Sequence, residues 1–252
     1  GLLPVVHSLI DGGTIPQFVL TGSSARKLRR SGTDLLGGRA APRTMHPFMA
    51  VELGAKVDLD HALAFGMLPI VHAASDPVAV LRGYVGIYLE QEVKADAAVR
   101  AIESFARFLE VLSFSQASVL NLSDIARDCQ VRRSTVTGYL EIAQDILIAR
   151  TVPVFARRAR RAVSVHPKFF YFDCGVFRSL RPTGPLDLPA EIDGAALETL
   201  VYQHIQAWID NGANDCSLHF WRTSGGLEVD FVVYGSGTFL AIEVKGSARV
   251  KS

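Results

Sequence analysis

The chain has 252 residues, a hydrophobic content of 49% and a formal net charge of +1 at pH 7. This length allows two or three small domains, and the composition is that of a globular protein. A near-zero net charge excludes a uniformly basic nucleic-acid binder, so any such contact must come from a local patch. The cysteines Cys129, Cys174 and Cys216 lack zinc-ligand spacing, and no apolar run is long enough to span a membrane. We therefore expect a cytoplasmic protein with reduced thiols and no membrane contact.

The N-terminal part of the chain predicts a helix followed by a strand. Apolar residues recur at helical spacing over residues 2–10, and Asp11-Gly12-Gly13 ends this helix. Residues 18–20 are predicted to form a short buried strand, which leads into a turn of small polar residues that includes Ser23. The end of a buried strand is a common place for a phosphate site. The residues alone nevertheless favour a plain turn and helix cap.

A longer pattern in this part of the chain favours the phosphate site. It runs from Phe18 through Gly37-Gly38-Arg39 to His46-Pro47-Phe48 and Glu52-Leu53. It resembles the second half of an AAA-type ATPase core from a bacterial and archaeal family of predicted ATPases, whose C-terminal part is a domain of unknown function of the DUF4143 type. The resemblance implies that Ser23 and Arg39 sense the γ-phosphate of ATP. It also implies that residues 1–58 are the C-terminal remnant of the ATPase core.

The phosphate loop of such an ATPase is absent from the sequence. No GxxxxGK[ST] motif occurs, so the backbone amides and the Lys that hold phosphates are missing. The chain also begins at Gly1 without an initiator Met. We therefore expect a fragment that does not bind ATP by itself. The resemblance assigns ATP use, and assembly into a homo-oligomer, to a longer parent protein.

The middle of the chain predicts a helical connector over residues 59–115 and a winged helix-turn-helix over residues 116–165. Apolar side chains recur at helical spacing throughout the connector. In the second segment Ile125 faces inward from a short helix, and Ser134 is placed to cap the next one. An extended run over residues 146–154 follows, as a wing would.

The start of the second predicted helix is basic and polar, as expected of a helix that enters the major groove of DNA. More arginines lie just beyond the extended run. The residues expected to contact nucleic acid are Arg132, Arg133, Ser134, Thr135, Arg157, Arg158, Arg160 and Arg161. This local positive charge is what a phosphate backbone attracts. DNA is the favoured partner, and docking of another protein is the alternative.

Residues 166–252 predict an α/β domain. It opens with an apolar strand over residues 166–172. A helix over residues 194–209 follows, with Glu198 beside its apolar stripe. Two runs rich in Val, Ile, Phe and Tyr then flank the turn signal Gly235-Ser236-Gly237, which predicts a β-hairpin.

Charged side chains interrupt the apolar pattern of this hairpin. Because side chains alternate along a strand, Glu243 and Lys245 are expected on one face. Asp230 joins them only if the hairpin register has odd parity, for example with Val233 opposite Thr238. Cross-strand neighbours then lie roughly 5 to 8 Å apart, close enough for Asp230 and Glu243 to share a metal ion.

The hairpin resembles the PD-(D/E)xK nuclease superfamily, with Asp230 as its aspartate and Glu243-Val244-Lys245 as its ExK element. The resemblance implies that Asp230 and Glu243 bind Mg²⁺ and that Lys245 positions a water or a phosphate. It also implies that Glu198 supplies a further catalytic carboxylate. From the residues alone, charges that protect an edge strand from aggregation, and a surface position for Glu198, are the alternatives.

The sequence thus predicts an α/β chain made of an AAA-type remnant, a helical connector, a winged helix-turn-helix and a restriction-endonuclease-like domain over residues 166–252. The first functional hypothesis is nucleic-acid binding by the winged helix with Mg²⁺-dependent hydrolysis of phosphodiesters. The alternative is an ATP-controlled DNA-binding or regulatory module whose nuclease fold is inactive.

Overall fold

The computed structural model describes residues 2–13, 18–21, 41, 43–95, 102–156, 166–212, 215–223 and 225–246. Within these residues the protein is mixed α/β, and its strands form two antiparallel sheets. The predicted site residues Ser23 and Arg39 lie outside the described residues. The same holds for the four arginines predicted between residues 157 and 161.

α-Helices account for most of the regular structure in the described residues. They are Leu2–Asp11 (α1), Ala50–Leu53 (α2), Leu59–Phe65 (α3), Pro69–His72 (α4), Pro77–Ala95 (α5), Ile102–Ser113 (α6), Leu122–Asp128 (α7), Arg133–Asp145 (α8), Cys174–Leu180 (α9) and Pro189–Asn211 (α10). Helices α3 to α6 confirm the helical pattern predicted over residues 59–115. None of the helices in the described ranges has the length and apolarity needed to cross a membrane.

The prediction of a strand over residues 18–20 is wrong. Residues 18–21 have no regular structure, and Val19 is 85% exposed. A strand needs a neighbour that takes up its backbone hydrogen bonds, and the ladders formed by the described strands do not include this segment.

The first sheet contains Ser118–Val119 (β1), Ala149–Val152 (β2) and Lys168–Tyr171 (β3), in the order β1-β3-β2. Strand β3 is central, since Lys168 lies opposite Val119 on one side and Val152 on the other. The chain therefore follows the order α6, β1, α7, α8, β2, β3 around one small sheet. The predicted domain boundary between residues 165 and 166 falls inside this unit.

The second sheet contains Cys216–Arg222 (β4), Glu228–Gly235 (β5) and Thr238–Ile242 (β6), in that order. Gly235 pairs with Thr238, so the predicted hairpin is confirmed and turns through two residues, with Gly237 at a φ of 73°. Positive φ is the conformation that such a turn requires and that glycine adopts freely. Val233 lies opposite Leu240 rather than Thr238, and this register keeps the odd parity.

Two hydrophobic clusters lie on opposite sides of β3. Phe169 and Tyr171 belong to the first cluster, which helices α6 to α9 surround. Phe170 belongs to the second cluster, where its ring stacks on Tyr202 of α10 at 4.5 Å between centroids and lies 5.7 Å from Phe231 of β5. The alternation of side chains along β3 thus ties the two sheets together.

Candidate functional site

A buried lysine lies at the contact between the two sheets. Lys168 is the first residue of β3, and its side chain is 1% exposed. Side chains two apart on a strand share a face, so Lys168 projects toward the second sheet with Phe170. Its ammonium lies 6.0 Å from the centre of the Phe231 ring. A lysine is rarely buried to this extent unless it is paired.

Three carboxylates surround this ammonium, and we call the group of four residues the Lys168 cluster. The Nζ atom of Lys168 lies 2.5 Å from Oε1 of Glu198 on α10, 2.9 Å from Oε1 of Glu228 and 3.2 Å from Oδ1 of Asp230. The side chains of Glu198 and Asp230 are each 15% exposed. One cation therefore connects β3, α10 and β5.

A β-bulge places Asp230 in the cluster. His219 pairs with Val232 and Trp221 with Val229, so two residues of β5, Asp230 and Phe231, lie across from the single residue between His219 and Trp221. A bulge of this kind changes the direction of side chains. Consequently the adjacent residues Asp230 and Phe231 both face Lys168, which a regular strand would not allow.

The electrostatics of the cluster are those of a buried site with an excess of negative charge. Burial raises the pKa of Glu198 most; the Lys168 ammonium lowers it, repulsion from Asp230 and Glu228 adds to the rise, and the result is a pKa of about 7. Burial lowers the pKa of Lys168, but Glu198 and Glu228 outweigh burial, so its pKa is raised overall. Lys168 is therefore a permanent cation, whereas Glu198 titrates near neutral pH.

The ExK residues lie beside the cluster and are paired with each other. The regular part of β6 ends at Ile242, because the amide of Val244 donates to Oδ2 of Asp230 at 2.8 Å instead of continuing the ladder. The predicted strand that continued to Lys245 is therefore too long. Lys245 Nζ lies 2.5 Å from Oε1 of Glu243, and both side chains are about half exposed, whereas Val244 packs on the second cluster.

The residues of this site do not fit the Mg²⁺ ion that the nuclease resemblance implies. Both carboxylate oxygens of Asp230 already have partners, Lys168 and the Val244 amide, and Glu243 is paired with Lys245. An ion at roughly 2.0 to 2.6 Å from the cluster oxygens would lie within about 5 Å of the Lys168 ammonium. At an effective dielectric constant of about 20, the repulsion between a divalent ion and the ammonium at this distance is on the order of 6 kcal/mol. Within the described ranges, no group of His, Cys, Asp or Glu side chains is arranged to hold a metal ion.

The structure thus brings together two predicted residues, Glu198 and Asp230, with two that sequence reasoning missed, Lys168 and Glu228. The signal for Lys168 was a single ammonium at the start of an otherwise apolar strand. Lys245 lies close enough to Asp230 and Glu198 for their charges to contribute, after that of Glu243, to a raised pKa of Lys245.

A second candidate surface is the start of helix α8. The prediction that Ser134 caps this helix is wrong. The helix begins at Arg133, and its N-cap residue is Arg132, whose side chain makes no capping hydrogen bond. Arg132, Arg133 and Ser134 are exposed, and Thr135 is half-buried. By contrast, Asn121 caps helix α7 by accepting from two backbone amides. The first amides of α8 therefore remain available to an external acceptor.

Two family profiles match the chain. The domain of unknown function DUF8612 matches residues 56–187, and the domain of unknown function DUF4143 matches residues 193–252. The second match confirms the DUF4143 part of the resemblance seen in the sequence. It includes Glu198, Glu228 and Asp230, whereas Lys168 lies within the first match, so the Lys168 cluster joins the two regions.

Two curated relatives also match, and both are uncharacterized proteins: Mb2031c of Mycobacterium bovis and Rv2008c of Mycobacterium tuberculosis. Each is 26% identical to this chain, over 97% of the chain and 56% of the relative. The chain thus spans about half the length of these relatives. No solved structure was found to match. Because the DUF8612 profile covers more than half of the 252 residues, the chain belongs to the DUF8612 family.

Proposed function

We propose that this protein binds nucleic acid, and DNA in particular, through a winged helix formed by α6, β1, α7, α8, β2 and β3. The observation that carries the proposal is the sheet order β1-β3-β2. Helices α7 and α8, which are joined by a short turn, lie between β1 and β2 in the chain. This is the arrangement in which the second helix of a helix-turn-helix presents its N-terminus to the major groove.

The chemistry at the start of α8 suits a phosphate group. Arg132 and Arg133 are exposed and form no ion pair with a described residue. The uncapped amides of the first turn and the positive end of the helix dipole favour an anion at the same place. Thr137 does not contribute a free hydroxyl, because its Oγ1 donates to the Arg133 carbonyl at 3.1 Å.

The arginines at positions 157, 158, 160 and 161 lie in the sequence that connects β2 to β3. In a winged helix this connection is the wing, which contacts the DNA backbone. Arg157, Arg158, Arg160 and Arg161 are therefore the second part of the proposed interface. Their contribution adds to that of α8 because each phosphate contact acts separately on the salt dependence of binding.

Of the two functional hypotheses, DNA binding without catalysis is the one proposed here. Metal-dependent hydrolysis by Asp230, Glu243, Glu198 and Lys245 remains a prediction, and the contacts of the Lys168 cluster do not support it. Control by ATP and assembly into a homo-oligomer concern a full-length parent and also remain predictions.

The test is fluorescence anisotropy with a labelled duplex of about 20 base pairs over a range of salt concentrations. Replacing Arg132 and Arg133 with Ala should weaken binding at least about tenfold and reduce the log–log salt slope by roughly 2, since each lost phosphate contact contributes about 0.9. The matched control replaces Lys56 and Arg82, two exposed cations that lie before the proposed winged helix in the chain, and should leave the affinity unchanged.

A second variant, with Ala at Arg157, Arg158, Arg160 and Arg161, should lower the slope further. Equal losses in the α8 variant and in the control would mean that only overall charge matters. Absence of any saturable binding by the unaltered protein would refute the proposal and favour a protein partner for this surface.

A further inference from the structure

The feature behind this inference is the placement of the Lys168 ammonium at the centre of Glu198, Glu228 and Asp230. In nuclease-like sites such carboxylates hold a divalent cation. Here their oxygens converge instead on an ammonium that belongs to the chain, at 2.5 to 3.2 Å.

We propose that Lys168 is the resident cation of the carboxylate cluster and that it closes the cluster to divalent metal ions. The ammonium also holds β3 of the first sheet against α10 and β5. This inference goes beyond nucleic-acid binding by α8 and does not depend on it.

The backbone prevents Lys168 from withdrawing. Its residue is paired across β3 with Val119 on one side and Val152 on the other, so its Cα position is set by two ladders. Its ammonium lies over the ring of Phe231, which belongs to the second hydrophobic cluster together with Phe170. An ammonium displaced from the carboxylates would enter this apolar region without a partner, which is strongly unfavourable.

Three carboxylate oxygens of Asp230 and Glu228 already accept hydrogen bonds from the chain. One carboxylate oxygen of Asp230 accepts a hydrogen bond from Lys168, and the other accepts one from the amide of Val244. Glu228 gives one oxygen to Lys168, and its second oxygen lies 3.8 Å from Nε of Arg222. A divalent ion would have to replace these contacts and remain beside a fixed positive charge.

The experiment is a titration with Mn²⁺, followed by the loss of the free-ion signal in electron paramagnetic resonance. The unaltered protein should show no saturable Mn²⁺ binding that depends on Asp230. Lys168→Met keeps an unbranched side chain of similar length, removes the charge and leaves three carboxylates together. This variant should bind Mn²⁺ at least about tenfold more tightly than the unaltered protein, because a nearby positive charge has been removed.

Lys56→Met is the matched control, since this lysine is exposed and forms no ion pair with the carboxylates of the cluster. It should leave Mn²⁺ binding unchanged. Adding Asp230→Asn to Lys168→Met should abolish the new site, which would show that the ion sits among the cluster carboxylates.

If Lys168→Met alone does not fold, Mn²⁺ should restore its fold, because the ion would replace the missing cation. The double variant with Glu228→Gln carries one carboxylate fewer and gives a second chance of a folded protein. Saturable binding by the unaltered protein that is lost in Asp230→Asn would overturn the inference. So would the absence of both binding and rescue in the Lys168 variants.

Discussion

Replacing Glu198 with Gln should make the protein more stable above neutral pH, although it removes an ion pair. Burial and two neighbouring carboxylates raise the pKa of Glu198 from 4.5 to about 7 in the folded protein, against the attraction of Lys168. The folded state therefore binds a proton more tightly than the unfolded state. The contribution of this group to stability is lost as pH rises from about 4.5 to about 7.

The magnitude follows from the size of this shift. One pKa unit corresponds to about 1.4 kcal/mol, so a rise from 4.5 to about 7 makes the ionised form less favourable by up to about 3 kcal/mol. Gln resembles the protonated acid. The two proteins should differ by less than about 1 kcal/mol in free energy of unfolding near pH 5, and Glu198→Gln should be more stable by up to about 3 kcal/mol near pH 8.

The assay is urea denaturation of both proteins at several pH values between 5 and 8. Other titrating groups, such as Asp173, whose pKa burial raises to about 6, are present in both proteins and cancel in the difference. Glu191→Gln, an exposed position in the first turn of the same helix, is the control, and as a surface substitution it should change the free energy of unfolding by less than about 0.5 kcal/mol. If Glu198→Gln is less stable at pH 8, the ion pair with Lys168 stabilises the fold and the reasoning is refuted.

The remaining predictions concern Asp173 and two glycines. Asp173→Asn should cost about 1 to 3 kcal/mol at pH 7.5, because both carboxylate oxygens accept backbone amides, from Met67 on one and from Gly175 and Val176 on the other. The control Asp58→Asn, at an exposed helix cap, should change stability by less than about 0.5 kcal/mol, and equal effects would contradict the explanation. Gly66→Ala should cost more than about 4 kcal/mol, since a Cβ would lie 2.0 Å from an oxygen of Asp173 at a φ of 79°. Gly138→Ala, in helix α8 with open space around it, should instead stabilise the protein by roughly 0.5 to 1 kcal/mol in thermal or urea denaturation. A mild effect of Gly66→Ala would show that this loop can move away from Asp173.

Local sequence patterns were sufficient to predict the elements that depend mainly on neighbouring residues. The helical connector follows from the spacing of apolar residues, and the hairpin follows from the Gly-Ser-Gly signal between two apolar runs. The predicted strand at residues 18–20 failed because apolar composition alone does not supply a neighbouring strand. The predicted strand end at Lys245 failed because a side chain, Asp230, takes the Val244 amide from the ladder.

The candidate site depends on contacts between distant parts of the chain. The sequence by itself identified Asp230 as a carboxylate in an apolar strand, and it placed Glu243 and Lys245 together on one face; Glu198 entered through the nuclease resemblance. Only the tertiary structure shows that Lys168, some 60 residues before Asp230, provides their cation. The reason is physical: side-chain periodicity follows from local backbone geometry, whereas the partner of a buried charge depends on sheet order, on a β-bulge and on the packing of α10 across two hydrophobic clusters.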